Sequence, residues 1–302
     1  MWSSEDDAEL RREAMQWLAV RTNDGLESLR YDEIAEFRFR GEAFPLMDRQ
    51  RGIRKPAVLD SALSIRTIWR AEGKPRPYDD DLGSDGLVRY KWRGDDPDHP
   101  ENRALRAASA QQQPLIWFWG VGPAQYMPIF PVFLIGEEAE QQQFVVATDG
   151  LQHLRPTDSP IEEVLRRYLR TESIRRVHQP VFRSMVMRAY ENQCAVCSLK
   201  HPVLLDAAHI VEDRHELGVA AIRNGLALCK IHHAAYDAGI LGVTPDSEVR
   251  IREDILVEVD GPLLEHGIKA LHGLKLRVVP RARNERPDRD LLDLHYQRFI
   301  AG

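Results

Sequence analysis

Two short pairs of residues carry the first chemical signal, Cys194-x2-Cys197 and, further along, Cys229-x2-His232. Pairs of this kind supply four soft or borderline ligands at tetrahedral reach, the Cys3His pattern of a structural zinc site. The chain has only three cysteines, and all of them fall within these pairs. An odd count argues against a disulfide framework and for metal binding. Four protein ligands leave no open position for a substrate, so this zinc should hold the fold. Between the two pairs lies LLDAAHIV, a β-like run that contains His209, followed by Asn224 in RNGLALC; His233 comes directly after His232. A lone histidine on an apolar strand is ordinarily a core residue, so His209 gains meaning only from its surroundings.

Taken together, C-x2-C, DAAHI, RNGLALC and HHAAYDAG resemble the HNH (ββα-metal) endonucleases over residues 190–245. The resemblance implies a β-hairpin followed by a helix, and a catalytic divalent metal distinct from the zinc. Hydrolysing a phosphodiester requires an activated water, neutralised phosphorane charge and a stabilised leaving oxygen. An imidazole that titrates near neutrality can take the proton of the water, which makes His209 the candidate general base. By the same resemblance His233 binds Mg²⁺ or Mn²⁺, and Asn224 holds the loop that orients His209, although in some relatives this position contacts the metal. The products implied are a 5′-phosphate and a 3′-hydroxyl. One departure matters: many relatives carry an acid or a histidine just before the catalytic histidine, and this chain has Ala208. Asp206 shares the strand face of Ala208 by alternation and is the candidate second metal ligand. Asp237, one turn after His233, is another, with a solvated helix-surface acid as its plain reading.

A nuclease site alone has little sequence preference, so the elements that direct it should lie elsewhere. In the first half, Tyr78-x2-Asp81-x8-Tyr90 is followed by a Gly94-Asp95 turn and by Asn102-Arg103-Ala104-Leu105. This pattern resembles the SRA (SET and RING associated) domain, a curved β-barrel of the PUA-like type that flips a modified cytosine out of duplex DNA. The resemblance implies that Tyr78 and Tyr90 stack on 5-methyl- or 5-hydroxymethylcytosine, that Asp81 accepts from its amino group, and that Asn102 supports the pocket. On the residues alone, both tyrosines also read as sheet aromatics and Asp79 to Asp81 as a solvated turn. Trp117 and Trp119 alternate in PLIWFWG and read as barrel core. Arg51 to Lys55 (RGIRK) is a short basic loop suited to tracking phosphates, or a solvated turn.

The fold class expected is α+β: a curved SRA/PUA-like barrel, a helical linker and a zinc-stapled ββα-metal domain. The boundaries expected are a helix within 1–28, the reader at 29–150, a basic helical linker at 151–190, the nuclease core at 191–245 and a helical extension at 246–302, in which no chemistry is evident. The first helix is read over residues 5–20, with Leu10, Met15, Leu18 and Ala19 roughly on one face. Asp158-Ser159-Pro160, followed by Glu162 and Glu163, marks a second helix start. From Val164 to Tyr190, Arg166, Arg167, Arg170, Arg175, Arg176, Arg183 and Arg188 face only Glu172. Such a segment is enough for several phosphate contacts, or is a solvated helix face.

Whole-chain properties set the outer limits. A net charge of −6 argues weakly against a general polyanion binder. No apolar run is long enough to span a membrane, and the acidic amphipathic N-terminus lacks the features of a signal peptide, so a cytoplasmic location is expected. The absence of GxxxxGK[ST] argues against nucleotide triphosphate use. Double-stranded DNA carrying modified bases is the expected partner. Because one HNH site cuts one strand, a homodimer or two successive nicks follow. The rival readings are an HNH nuclease directed by phosphorothioate linkages or by unmodified sequence, and a zinc-stabilised DNA-binding protein that no longer cuts.

Overall fold

Ser3 opens the first helix, α1 (Ser4–Arg21), with a capping box. Its hydroxyl accepts from the Asp6 amide at 3.1 Å, and the Asp6 carboxylate accepts from the Ser3 amide at 3.2 Å. Leu10, Ala14 and Leu18 recur every four residues and are fully buried, the stripe that seats the helix. Arg11 lies in the same face. Its guanidinium is bound to Asp7 at 2.7 Å, to the Ser61 hydroxyl at 3.0 Å, and to the carbonyls of Ala62 and Pro114 at 3.0 and 2.7 Å. A buried charge with all three guanidinium nitrogens bonded in this way ties α1 to two distant segments.

The computed structural model describes residues 2–69, 87–148, 178–212 and 221–301. They belong to two units, Met1–Val181 and Phe182–Gly302. In the first unit, α1 is followed by β1 (Leu29–Arg30), α2 (Tyr31–Ile34), β2 (Arg38–Phe39), β3 (Glu42–Ala43), β4 (Ile53–Arg54), β5 (Ser64–Thr67), β6 (Val88–Lys91), α3 (Pro100–Ala110), β7 (Leu115–Gly122), β8 (Gln125–Glu138) and β9 (Gln143–Ala147). The main sheet among the described residues has seven strands, in the order β4-β5-β7-β8-β9-β6, with β1 added along β8. Only β5 and β7 run parallel.

The fourteen-residue strand β8 gives the sheet its curl. Its first half pairs with β7 up to Val132, and from Phe133 onwards it pairs with β9. Register shifts at Leu115/Trp117, Gly120/Gly122 and Leu134/Gly136 are bulges that bend the strands. The result is a curled, half-barrel sheet in a mixed α and β chain. Every residue of β7 is buried. Trp117 packs beside Trp119 with ring centroids 4.9 Å apart, and its indole donates to the Thr67 hydroxyl at 2.9 Å. Both tryptophans are therefore core.

The second unit begins within α4 (Gln179–Ala189) and continues through β10 (Leu205–His209), β11 (Gly225–Cys229), α5 (Lys230–Asp237), β12 (Leu241–Val243), β13 (Val249–Ile251), α6 (Glu253–Val257), α7 (Pro262–Gly267) and α8 (Arg289–Ala301). β10 and β11 form an antiparallel hairpin, and α5 follows at once. The stretch after residue 245 holds a strand as well as helices, because β12 and β13 close a second small hairpin around the turn at Pro245-Asp246-Ser247. No helix among the described residues is long and apolar enough to cross a membrane. The helix start read at Asp158 and the arginines from Arg166 to Arg176 lie outside the described residues.

Candidate catalytic and metal site

The hairpin and the helix after it set two chemistries at separate places. In the hairpin register Leu205 faces Cys229 and His209 faces Gly225, so the two ends of β10 lie roughly 14 Å apart at about 3.4 Å per residue. At the Cys229 end, Cys194, Cys197, Cys229 and His232 converge, with all four ligand atoms within 4.8 Å of one another. Tetrahedral thiolate coordination at about 2.3 Å requires sulfurs about 3.8 Å apart, so small adjustments complete the cage. The imidazole is already oriented for the task. His232 Nε2 lies 2.9 Å from the carbonyl of Gly267, while Nδ1 faces the sulfurs of Cys229 and Cys194 at 3.2 and 3.5 Å. A proton held on Nε2 by Gly267 leaves the Nδ1 lone pair for a metal. The donor set fits zinc.

At the other end stands His209. Its ring lies flat on that of Phe182, with centroids 3.8 Å apart and 10° between planes. The approach of α4 that permits this stack depends on the residue across the hairpin. A Cβ on Gly225 would lie 2.5 Å from Val186 Cγ2 and 3.0 Å from Phe182 Cζ. Only glycine leaves that space. Asn224 is fully buried and clamps the chain just past His209: its side-chain oxygen accepts from the Val211 amide and its amide donates to the Val211 carbonyl, both at 2.8 Å. Its own carbonyl accepts from the Ile210 amide at 2.9 Å.

Helix α5 runs back along the hairpin and sets out the remaining candidates in order. His233 lies between two carboxylates, with Nδ1 3.7 Å from Asp206 Oδ2 and Nε2 3.4 Å from Asp237 Oδ2. One imidazole nitrogen can serve one ion, so the two acids compete for the role of second ligand. Asp206 is committed elsewhere as well, with the Arg183 guanidinium 3.5 Å away and the Ala207 amide donating to it at 2.9 Å. Asp237 lines a cleft of about 420 Å³ that also contains His209; Asp206 does not. His233 itself does not line that cleft, but its Nε2 faces Asp237 four residues on along the same helix face, so the pair offers one nitrogen and one oxygen donor, of which the oxygen borders the space beside His209. Such a pair suits Mg²⁺ or Mn²⁺, which keep several waters or phosphate oxygens besides one or two protein ligands. Ala208 is fully buried in the core and takes no part.

The same cleft carries residues that sequence reasoning passed over. Tyr236, Arg252, His295 and Arg298 complete it, the last two from α8. Tyr236 falls within HHAAYDAG without a role read for it there, and His295 and Arg298 leave only a histidine and an arginine three residues apart on a weakly amphipathic helix.

Of the candidate base-binding residues in the first unit, Tyr90 and Asn102 are described. Tyr90 is buried within the sheet, edge-on to Trp117 at 5.8 Å, with its hydroxyl bonded to the Gly52 carbonyl at 3.1 Å. Asn102 is fully buried and fastens the turn after β6, accepting from the Arg93 amide at 2.8 Å and donating to the carbonyls of Arg93 and Asp96 at 3.2 and 2.8 Å. Tyr78 and Asp81 lie outside the described residues.

Comparison with known proteins places a family on the second site. Residues 194–244 match the family described as HNH endonuclease. The second unit carries an HNH endonuclease domain. It is thus a hydrolase of DNA phosphodiesters, and its family implies a divalent metal. The chain is also similar to two solved structures. One, "Modification dependent TagI restriction endonuclease", is 19% identical, with 82% of this chain and 85% of that one covered at a TM-score of 0.30. The other, "Structure of the Type IV phosphorothioation-dependent restriction endonuclease ScoMcrA", is 15% identical, with 62% of this chain covered at a TM-score of 0.23. The chain spans about half (48%) of that second protein. At such TM-scores neither likeness fixes the substrate of this chain. No curated protein matches it.

Proposed function

We propose that the protein is a modification-dependent DNA endonuclease, in which the first unit reads a modified cytosine extruded from the duplex and the HNH domain cuts nearby. The observation that carries the nuclease half is the cleft lined by both His209 and Asp237, with Phe182 stacked on the His209 ring and Asn224 holding the backbone at Val211 just past it. His209 takes the proton of the attacking water. Asn224 holds the backbone past His209, and the Phe182 ring confines the imidazole to one plane, so the base meets the water without reorganising. His233 and Asp237 would hold the divalent ion, with Asp206 the rival for the second position. When bound, that ion neutralises charge on the phosphate and on the leaving oxygen. By family resemblance the products are a 5′-phosphate and a 3′-hydroxyl.

The reader half rests on the Tyr78-x2-Asp81-x8-Tyr90 spacing and on a curled sheet of the kind that resemblance implies. Tyr78 and Asp81 would contact the flipped base, Tyr90 would form a fixed wall of the pocket, and Asn102 would stiffen its rim. In this reading residues 29–150 are the reader, 151–190 a basic linker on the DNA backbone, 191–245 the nuclease core and 246–302 an extension of it. Two copies, or two nicks, complete a double-strand break.

The test is one DNA fragment prepared with cytosine, 5-methylcytosine or 5-hydroxymethylcytosine and incubated with Mg²⁺ or Mn²⁺. Cutting confined to a modified form supports both halves. Equal cutting of all three removes the reader and leaves the nuclease. No cutting of any form refutes the proposal as stated.

A further inference from the structure

The cleft beside His209 extends well beyond the segment that the family match covers. Its far wall, from α8 and the turn after β13, carries Arg252, His295 and Arg298, while the carboxylates of Glu212 and Asp237 line other parts of the same cleft. Arg252 is occupied, since Nε and Nη2 bond the Asp254 carboxylate at 2.7 and 3.0 Å. Arg298 is different: no hydrogen bond or ion pair holds its guanidinium among the described residues. His295, one turn earlier on α8, stacks on Tyr236 with centroids 4.0 Å apart and 7° between planes.

Two polar atoms of residues lining the cleft, the hydroxyl of Tyr236 on α5 and Nδ1 of His295 on α8, are buried without a hydrogen-bond partner among the described residues. Tyr236 is only 1% exposed. Buried polar groups are matched in nearly all native structures, so an unmatched pair in the wall of a cleft points to something that enters the cleft. The donors present are a guanidinium, a phenol and an imidazole, which together suit an oxyanion. A stacked base fits less well, because Tyr236 and His295 already cover one another's faces. A strand lying across the HNH site presents phosphates at regular intervals, so hydrolysis of one brings its neighbour close by.

We propose that Arg298, together with Tyr236 and His295, receives a phosphate of the strand being cut, next to the one hydrolysed, and that α8 thereby sets the position of that strand. The inference rests on the nuclease reading of the same cleft. These are positioning residues, since they touch no reacting atom. Arg298 supplies the charge, while the Tyr236 hydroxyl and His295 orient the phosphate after a small movement of their rings.

The experiment uses the full chain with its zinc, and a short duplex carrying 5-methylcytosine. Binding is followed by fluorescence anisotropy in Ca²⁺ at several salt concentrations, and nicking is followed in Mg²⁺. Arg298→Gln removes the charge from an exposed side chain and should leave the melting temperature unchanged. Its log K against log salt should be shallower by about 0.9, the value of one phosphate contact. Its KM should rise about three- to tenfold with kcat held, the mark of lost uniform binding. Tyr236→Phe keeps the ring stack and should raise KM about two- to tenfold, the value of one hydrogen bond.

A wild-type salt slope and KM in Arg298→Gln overturn the proposal, and so does a fall in kcat at constant KM. His209→Ala separates the two levels. Loss of nicking there with altered binding in Arg298→Gln supports both readings. Full nicking by His209→Ala overturns the nuclease reading alone. A wild-type protein that neither binds nor nicks the duplex overturns both.

Discussion

Replacing Gly225 with alanine tests how the catalytic end of the hairpin is held. The backbone there is extended, with φ −130° and ψ 143°, which any residue adopts. The cost is therefore one of packing. The new methyl would lie 2.5 Å from Val186 Cγ2 and 3.0 and 3.2 Å from Phe182, against an ordinary carbon contact of about 3.5–4.0 Å. Overpacking of this kind costs about 1–3 kcal/mol, offset by about 0.5–1 kcal/mol from removing glycine in a strand. The net loss is about 1 kcal/mol within a span of about 0–2.5 kcal/mol, or roughly 3–6 °C in melting temperature for a unit of this size. Function should suffer more than stability, because whatever yields moves α4 and with it the ring under His209. A displacement near 1 Å at a reacting group lowers kcat by about a hundredfold. Val186→Ala removes the closest methyl, so the double variant should be more stable and more active than the two single effects combined. Calorimetry and a nicking assay on the four proteins decide the matter. A Gly225→Ala protein that melts and cuts like wild type refutes the reasoning, as does a strictly additive double variant.

Three further expectations concern neighbouring parts of the site. Elemental analysis should find one tightly held zinc per chain; stripping it with a chelator should abolish cooperative melting of the second unit, and Mg²⁺ alone should not restore cutting. Asn224→Ala leaves the buried amide and carbonyl of Val211 unmatched, at a cost of roughly 1–3 kcal/mol; melting should fall by several degrees and kcat by more than KM changes. His295 is held down to about 4 by burial and by the charge of Arg298, from an ordinary value of 6.5. Below pH 6.5 the unfolded chain takes up a proton that the folded chain refuses until about pH 4, so this stability is present above pH 6.5 and lost as pH falls towards 4. Melting of His295→Phe should accordingly decline less between pH 7 and pH 4.5 than that of wild type, and parallel declines would contradict the assignment.

The parts of the site legible in the sequence are those fixed by local geometry. Paired ligands at Cys194-x2-Cys197 and Cys229-x2-His232 need only two tight loops, and the run from Asp206 to His209, then Asn224 to His233, spells out a hairpin and a helix in order. What the sequence could not show depends on where those elements travel afterwards. Strand alternation pairs Asp206 with Ala208 but says nothing of the path of α5, which carries Asp237 into the cleft with His209 while Asp206 stays beside Arg183. Phe182 reaches His209 only because Gly225 lets α4 approach. His295 and Arg298 arrive from the far end of the chain, brought by packing that no short spacing encodes. In the first unit the burial of Trp117 and Trp119 was readable from alternation, whereas the curl depends on β8 changing partners at Val132 and Phe133, which is a matter of tertiary pairing.

The most direct test of the central claim compares wild type with His209→Ala on a duplex carrying modified cytosine, in Mg²⁺ or Mn²⁺ and in EDTA. The account predicts metal-dependent nicking by wild type that leaves a 5′-phosphate, no nicking in EDTA, and a loss of at least about a hundredfold in His209→Ala with DNA binding and melting retained. Undiminished cutting by His209→Ala in the presence of metal would contradict it.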